Sequence, residues 1–264
     1  TLKDLNILCV RIVFCLYAED AGLFGKHNMF HDYLSKQREN PSSFRDALIK
    51  LFKTLDQKEE ERDPYASEEL LAFPYVNGGL FADEDVVIPR LDKDIIRVIL
   101  EDASEGFDWS NISPTIFGGV FESTLNPETR RSGGMHYTSI ENIHKVIDPL
   151  FFNDIKEEFA EIMNIKTINQ RQKQLNDLQD KLASLKFLDP ACGSGNFLTE
   201  TYLSLRRLEN KIIKARNDGQ IILNAENPIK VSIKQFYGIE INDFAVSVAK
   251  AALWIAESQM LKET

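Results

Sequence analysis

Lys186-Phe187-Leu188-Asp189-Pro190-Ala191-Cys192-Gly193-Ser194-Gly195-Asn196-Phe197 is the stretch that decides how this chain folds. Two apolar residues, Phe187 and Leu188, end in a carboxylate at Asp189. The chain then breaks at Pro190, passes through two closely spaced glycines, Gly193 and Gly195, and enters an amphipathic segment. A short buried strand, a glycine turn and a helix in that order form the phosphate- or nucleotide-binding corner of an open α/β sheet. Glycine lacks a Cβ, so the backbone can turn sharply and come close to a ligand. The first amides of the following helix have no partner inside the helix and are free to donate.

The string resembles motif I of the S-adenosylmethionine-dependent DNA amino-methyltransferases, in the D-P-A-C-G-S-G-x-F form of adenine-N6 enzymes. The resemblance implies that Asp189, Ala191, Cys192, Gly193, Gly195, Asn196 and Phe197 hold the methionine end of S-adenosylmethionine. Downstream, Gln235-Phe236-Tyr237-Gly238-Ile239-Glu240-Ile241-Asn242 reads as a second buried strand ending in an acid. A long helix is expected from about Asp243 to about Met260. An acid at the end of the second strand accepts hydrogen bonds from ribose hydroxyls in nucleotide-binding α/β units, and Glu240 suits that task. In the family this is motif II, which implies that Ile241 packs on the adenine. The usual spacing from glycine turn to acid is about 20 residues, and here it is more than twice that. The segment around Asn217-Asp218-Gly219 and Asn227-Pro228 reads as an insertion between helix and strand.

Upstream, Ser132-Gly133-Gly134-Met135-His136-Tyr137-Thr138-Ser139 precedes a helical apolar period through Ile143, Val146, Ile147 and Leu150. It is similar to motif X, G-x-[YF]-[YF]-T-P, and the resemblance implies that Tyr137 and Thr138 close over the methionine portion of the cofactor. Ser139 stands where proline is common, and its hydroxyl can cap the helix that follows. Motif X before motifs I and II is the order of the gamma-type adenine methyltransferases. Neither motif III nor the catalytic motif IV, [DNS]-P-P-[YFW], occurs: Asn40-Pro41, Asn126-Pro127 and Asn227-Pro228 lack the second proline and the aromatic residue. The expectation is a fragment with half a cofactor site and no catalytic residue. Alone it is expected to be inactive, and its parent to methylate adenine N6 in duplex DNA after flipping the base. A cytosine-N4 enzyme differs mainly within motif IV and stays open, as does a non-catalytic DNA-associated scaffold subunit of a phage-defence system.

The first 110 residues have another character. Leu5, Leu8, Ile12, Cys15 and Leu16 mark one helix, and Phe44, Leu48, Leu51, Phe52 and Leu55 a second. Ile95 to Leu100 marks a further one. A polar run, Asp56 to Asp63, reads as a loop leading to the turn Phe73-Pro74-Tyr75-Val76-Asn77-Gly78-Gly79-Leu80-Phe81. Arg11 to Phe24 and the Tyr75 to Phe81 string resemble the helical spacer of the MmeI-like (type IIG/IIL) restriction-modification enzymes. Phe117-Gly118-Gly119-Val120-Phe121-Glu122 resembles the helix leading into their methyltransferase domain. The fold class expected is therefore α/β: an all-α spacer over 1–110, then the N-terminal portion of a Rossmann-like class I methyltransferase domain over 111–264. In that family a nuclease is fused before the spacer.

Composition bounds these readings. With 43% apolar and 27% charged residues the 264-residue chain has an ordinary globular mix. No run approaches the roughly 18 apolar residues of a membrane span; Ile7 to Ala18 is interrupted by Arg11. The start, Thr1-Leu2-Lys3-Asp4, has no signal-peptide character, and a cytoplasmic location is expected. Three cysteines, Cys9, Cys15 and Cys192, without C-x-x-C spacing suggest neither a disulfide framework nor a zinc site. A net charge of −10 argues against this portion being the main grip on duplex DNA, because phosphate contacts call for clustered Lys and Arg. That grip is expected in a C-terminal domain, with Arg130-Arg131, Arg206-Arg207 and Lys166 to Lys186 as local basic candidates. The last, with Leu175, Leu178, Leu182 and Leu185 at helical spacing, reads better as a solvated amphipathic helix. Glu209-Asn210-Lys211 imitates a nuclease E-x-K but falls in a helical segment, and no metal site is expected. His27 and His31 lack the Glu of H-E-x-x-H and read as surface or packing residues.

Overall fold

Two parallel strands and the helices packed on them position the glycine turn. A computed structural model describes residues 2–76, 80–82, 85–115, 138–216 and 228–263. The chain divides into two compact units, Thr1–Ser113 and Pro114–Thr264.

The described residues of the first unit are helical. Helix α1 (Leu2–Asp20) buries Leu8, Ile12, Phe14, Cys15 and Leu16, although Leu5, on the expected apolar face, is exposed. Helices α2 (Met29–Ser35) and α3 (Pro41–Asp56) follow. Asn40 caps α3 by accepting from the Ser42 and Ser43 amides, and Pro41 opens the helix where its missing N–H costs nothing. The polar run after α3 contains a short 3-10 turn, Glu59–Glu61, before helix α4 (Glu68–Leu71). Helix α5 (Lys93–Arg97) widens into π-type turns over Val98–Glu105. Arg11 is buried inside this unit: its guanidinium donates to the Leu80 carbonyl (3.0 Å) and lies over the rings of Phe52 and Phe81. Glu19, also buried, accepts from the His31 amide (2.9 Å) and the Ser104 hydroxyl (3.2 Å). His31 is therefore a packing residue, and its ring faces Asp32 and Glu105.

In the second unit, α6 (Ile140–Ile147) continues through a π-type turn, Asp148–Phe152, into α7 (Asn153–Met163) and α8 (Ile168–Ser184). Strand β1 (Phe187–Asp189) leads to α9 (Asn196–Arg216), and β2 (Phe236–Gly238) to α10 (Asp243–Lys262). The strands pair in parallel, Phe187 opposite Phe236 and Asp189 opposite Gly238. A parallel pair requires a long crossover, and α9 supplies it. The rings of Phe187 and Phe236 stack (5.1 Å, 13°), with Tyr202 edge-on to Phe236 and Phe151 beside Phe187. Around them Leu175, Leu178 and Leu182 of α8 join Leu198, Leu205 and Ile212 of α9 in one core. Each such fully buried side chain contributes on the order of 1.5–3 kcal/mol. The amphipathic reading of 166–186 thus corresponds to a helix with one buried leucine stripe. On α6 only half of the expected apolar face is buried: Ile143 and Ile147 are inside, whereas Val146 and Leu150 are exposed.

Polar groups fix where the strands begin. Gln235, just before β2, donates to the carbonyls of Leu182 and Leu185 (both 2.8 Å), just before β1. It also closes a capping box with Ser232 around the short turn Ile233–Gln235. Glu209 of α9 is fully buried and receives the Arg206 guanidinium, the Gln179 amide (2.7 Å) and the backbone N–H groups of Lys230 (2.7 Å) and Val231 (3.2 Å). The E-x-K imitation is therefore a helical carboxylate committed to packing. Arg206, a basic candidate for phosphate contact, is buried in the same network and is unavailable to DNA. The insertion, 217–227, lies outside the described residues, but the chain after it is pinned to α9 at Lys230 and Val231.

Candidate functional site

The turn between β1 and α9 is built by hydrogen bonds that leave little freedom. The Ala191 amide donates to Asp189 Oδ1 (3.0 Å), a local turn that starts the chain away from the strand. The Cys192 amide donates to the Ile239 carbonyl (3.1 Å), and the Ile239 amide to the Asp189 carbonyl (2.9 Å). These two bonds carry the parallel pairing past the strand ends. The Gly195 amide donates to the Cys192 carbonyl (2.8 Å), and the Thr199 amide to Gly195 (2.8 Å), which starts α9.

Gly193 and Gly195 both adopt left-handed backbone angles (φ 53° and 78°), where a Cβ is strained. Gly195 has a second reason to be glycine. A Cβ there would lie 2.8 Å from the Ala249 Cβ and 3.1 Å from its Cα, so α10 packs directly against the turn. Gly238, with ordinary angles, is held by space alone, since a Cβ would fall 2.6 Å from the Cys192 sulfur.

Glu240 stands beside the turn and closes it. One carboxylate oxygen accepts from the Gly193 amide (2.9 Å), the other from the Asn242 amide (2.8 Å). A carboxylate has about four lone-pair positions, so capacity for two further donors remains. The two strand-end acids thus bracket the glycine turn. Burial, with Asp189 and Glu240 nearby, pushes the Cys192 thiol above its ordinary range. The thiol therefore stays protonated at neutral pH and acts as a small packing group rather than a nucleophile. Asn196, at the start of α9, is 6% exposed and its side-chain oxygen has no hydrogen-bond partner. Phe197 is half-buried, while Ile241 is 90% exposed at the mouth of the turn.

Of the expected site residues, Asp189, Ala191, Cys192, Gly193, Gly195, Asn196, Phe197, Glu240 and Ile241 cluster at the ends of the two strands. Tyr137 lies outside the described residues, as do Arg130-Arg131 and the Phe117 to Glu122 string. Thr138 is described and half-buried, and Ser139 caps α6 by accepting from the Asn142 amide (3.4 Å).

Comparison with known proteins adds independent information. Residues 165–264 match the family described as the MmeI DNA-methyltransferase domain, and residues 3–81 that described as the MmeI helicase spacer domain. The solved structure of the type IIL restriction-modification enzyme MmeI in complex with DNA superposes with a TM-score of 0.85 at 38% identity, covering 98% of the chain. The chain belongs to the MmeI-like family. A DNA methyltransferase A of Bacillus subtilis is 37% identical over the whole MmeI-like chain. A putative type II restriction enzyme and methyltransferase of Methanocaldococcus jannaschii is 26% identical over 95% of it. The chain spans 28% and 24% of those two relatives and 34% of the solved MmeI chain.

One group near the MmeI-like site gave no signal in the sequence. His144 of α6 faces two carboxylates, Asp148 through Nδ1 (2.9 Å) and Glu200 of α9 through Nε2 (3.2 Å). Both partners hold its imidazole above its ordinary pKa, the Asp148 hydrogen bond most strongly. A histidine and a carboxylate 56 positions apart have no pattern linking them before the helices are packed.

Proposed function

We propose that the protein containing this chain is an S-adenosylmethionine-dependent DNA methyltransferase that acts on adenine N6 in duplex DNA within a restriction-modification or phage-defence system. The observation that carries this reading is the bracket at the strand ends: Asp189 and Glu240 on either side of a glycine turn whose amide Glu240 holds. Kinship with the MmeI-like proteins and with two relatives named as methyltransferases supports it. The second unit is then the start of a Rossmann-like methyltransferase domain, continued by strands from beyond residue 264. The first unit is the helical spacer that follows a fused nuclease. Duplex DNA is gripped mainly by a C-terminal domain, and the enzyme works in the cytoplasm.

The residues present fit the methyl donor. The orphaned, buried Asn196 oxygen can accept from the ammonium of its methionine end. The first-turn amides of α9 lack intrahelical partners and can donate to the carboxylate. The remaining lone pairs of Glu240 suit the ribose hydroxyls, and exposed Ile241 offers an apolar face for the adenine. Asp189, Ala191, Cys192, Gly193, Gly195 and Phe197 shape the turn, and Tyr137 with Thr138 supplies the covering arm. S-adenosylmethionine brings the electrophilic methyl group. This chain contributes the holding of the donor, and the polarised amino group belongs to a motif IV supplied from elsewhere in the protein.

The full-length protein incubated with labelled S-adenosylmethionine and duplex DNA tests the reading by mass spectrometry of the released nucleosides. N6-methyladenine is expected, and Asp189→Ala should lower its yield by at least about tenfold, the loss of one charge-assisted contact. N4-methylcytosine would overturn the target base. No methylated nucleoside, from DNA offering varied sites, would overturn the activity.

A further inference from the structure

Helix α6 opens two residues after Thr138, and α9 opens directly from the glycine turn. These are the two segments that the methyltransferase reading places on the donor, and the present inference rests on that reading. The two helices pack together, and a polar contact joins the last turn of α6 to the second turn of α9, His144 Nε2 to Glu200 Oε1 at 3.2 Å. Glu200 is 3% exposed, so its carboxylate has lost most of its hydration. Among the described residues its other contacts are the Thr115 hydroxyl, which donates to Oε2 (3.4 Å), and Arg207 at 3.8 Å. Thr115 is neutral, and the Arg207 side chain is half-exposed.

The remaining groups around the ring point the same way. On its own helix, His144 Nδ1 meets Asp148 Oδ1, while Lys145 pairs with Glu141. From α7, Lys156 reaches the other Asp148 oxygen (3.4 Å) and does not contact the imidazole. Each ring nitrogen therefore faces a carboxylate oxygen. Only the imidazolium carries a donor on both nitrogens, and the neutral ring must turn a lone pair toward one of them. Losing the proton would leave either Asp148 or the buried Glu200 facing that lone pair, a costly outcome for a desolvated carboxylate.

We propose that protonated His144 is a positioning residue for methyl-donor binding: it holds α6, which follows Thr138, against α9, which follows the glycine turn, and that contact loosens as the imidazolium loses its proton. His144 touches no reacting atom in this account. It sets how tightly the two halves of the donor site stay together.

Calorimetry of S-adenosylmethionine binding to the full-length protein from pH 6 to pH 9 tests this, comparing wild type with His144→Gln and His144→Arg. The donor's own α-amino group titrates near pH 8, so the quantity read is the difference between proteins. Wild type should lose affinity relative to His144→Arg as pH rises, at up to about tenfold per pH unit for one coupled proton. His144→Gln should bind weakly throughout, and its profile should lack that extra fall. Amide protection over 140–147 in ligand-free protein, corrected for the base-catalysed intrinsic rate, should fall with rising pH in wild type but not in His144→Arg. Identical profiles for wild type and both variants, with exchange independent of the ring's protonation, would overturn the proposal. A protein that binds no donor at any pH, yet shows the exchange change, would overturn the methyl-donor reading and leave the His144 link standing.

Discussion

Cys192 sits between two acids at the strand ends, and its environment decides its chemistry. Its thiol is raised by burial first and by Asp189 and Glu240 second, so thiolate is scarce at neutral pH. Alkylation by iodoacetamide at pH 7.5 should be several-fold slower than for a free cysteine, at about pKa 8.5, and should speed up with Asp189→Asn. Reaction at the rate of an unhindered thiol would contradict this placement. The glycines make a sharper pair. Gly193→Ala meets only the strain of a positive φ, about 1–2 kcal/mol. Gly195→Ala adds a collision with the Ala249 Cβ and a tight contact with its Cα, and should cost more, about 2–4 kcal/mol from strain and overpacking together. Urea denaturation of the two variants should preserve that order. The turn itself was legible in the sequence, because a carboxylate, a proline and two glycines leave few alternatives. The contact of Gly195 with Ala249 was not, since it depends on α10 lying against the turn.

At the scale of elements, buried polar groups set how helices meet strands. Glu209 accepts from Arg206, Gln179 and two backbone amides, and so attaches the chain entering β2 to α9. Glu209→Ala would remove the buried ion-pair partner of Arg206 and the acceptor of two backbone amides, at up to about 3–5 kcal/mol. The expected readout is a large fall in melting temperature, and a fall no greater than that of a surface substitution would show that the network is incidental. The link between α6 and α9 behaves differently because its groups titrate. His144 is raised when folded, so its stabilisation is complete below its unfolded pKa and lost as pH rises through the folded value. Asp148 is lowered when folded, chiefly by the hydrogen bond with His144, so its share is lost as pH falls through that low value. The link is therefore whole between the unfolded pKa values of the two groups, about 4 and about 6.5. Relative to His144→Gln, the wild-type stability should decline as pH rises through the raised folded value of His144, by less than about 1 kcal/mol because the ring is part-exposed. A constant difference between the two proteins across that range would contradict the assignment.

For the whole molecule, apolar periodicity located the helices well and their buried faces less well. Leucines 175, 178 and 182 are buried as their spacing required, whereas Val146 and Leu150 of the α6 stripe are exposed. Periodicity reports which residues share a face but not where a wider turn rotates that face, as the π-type turn at Asp148–Phe152 does around Leu150. The same local widening at Val98–Glu105 had no sequence signal. The long interval between Asp189 and Glu240 reads as an insertion between helix and strand, and the two acids bracket one turn across it because Gln235 and Glu209 re-anchor the chain before β2. Arg206-Arg207 reads as a local candidate for phosphate, and Arg206 shows the weakness of that inference, since it turns inward to a fully buried partner, Glu209.

The central claim is that the Asp189–Gly193–Glu240 bracket holds S-adenosylmethionine, and binding of the donor measures it without requiring DNA or turnover. Titration calorimetry of the full-length protein should show saturable binding. Asp189→Ala and Glu240→Ala should each weaken it by at least about tenfold, the scale of one charge-assisted hydrogen bond, provided circular dichroism shows both variants folded. Binding of equal strength in wild type and both folded variants would contradict the account.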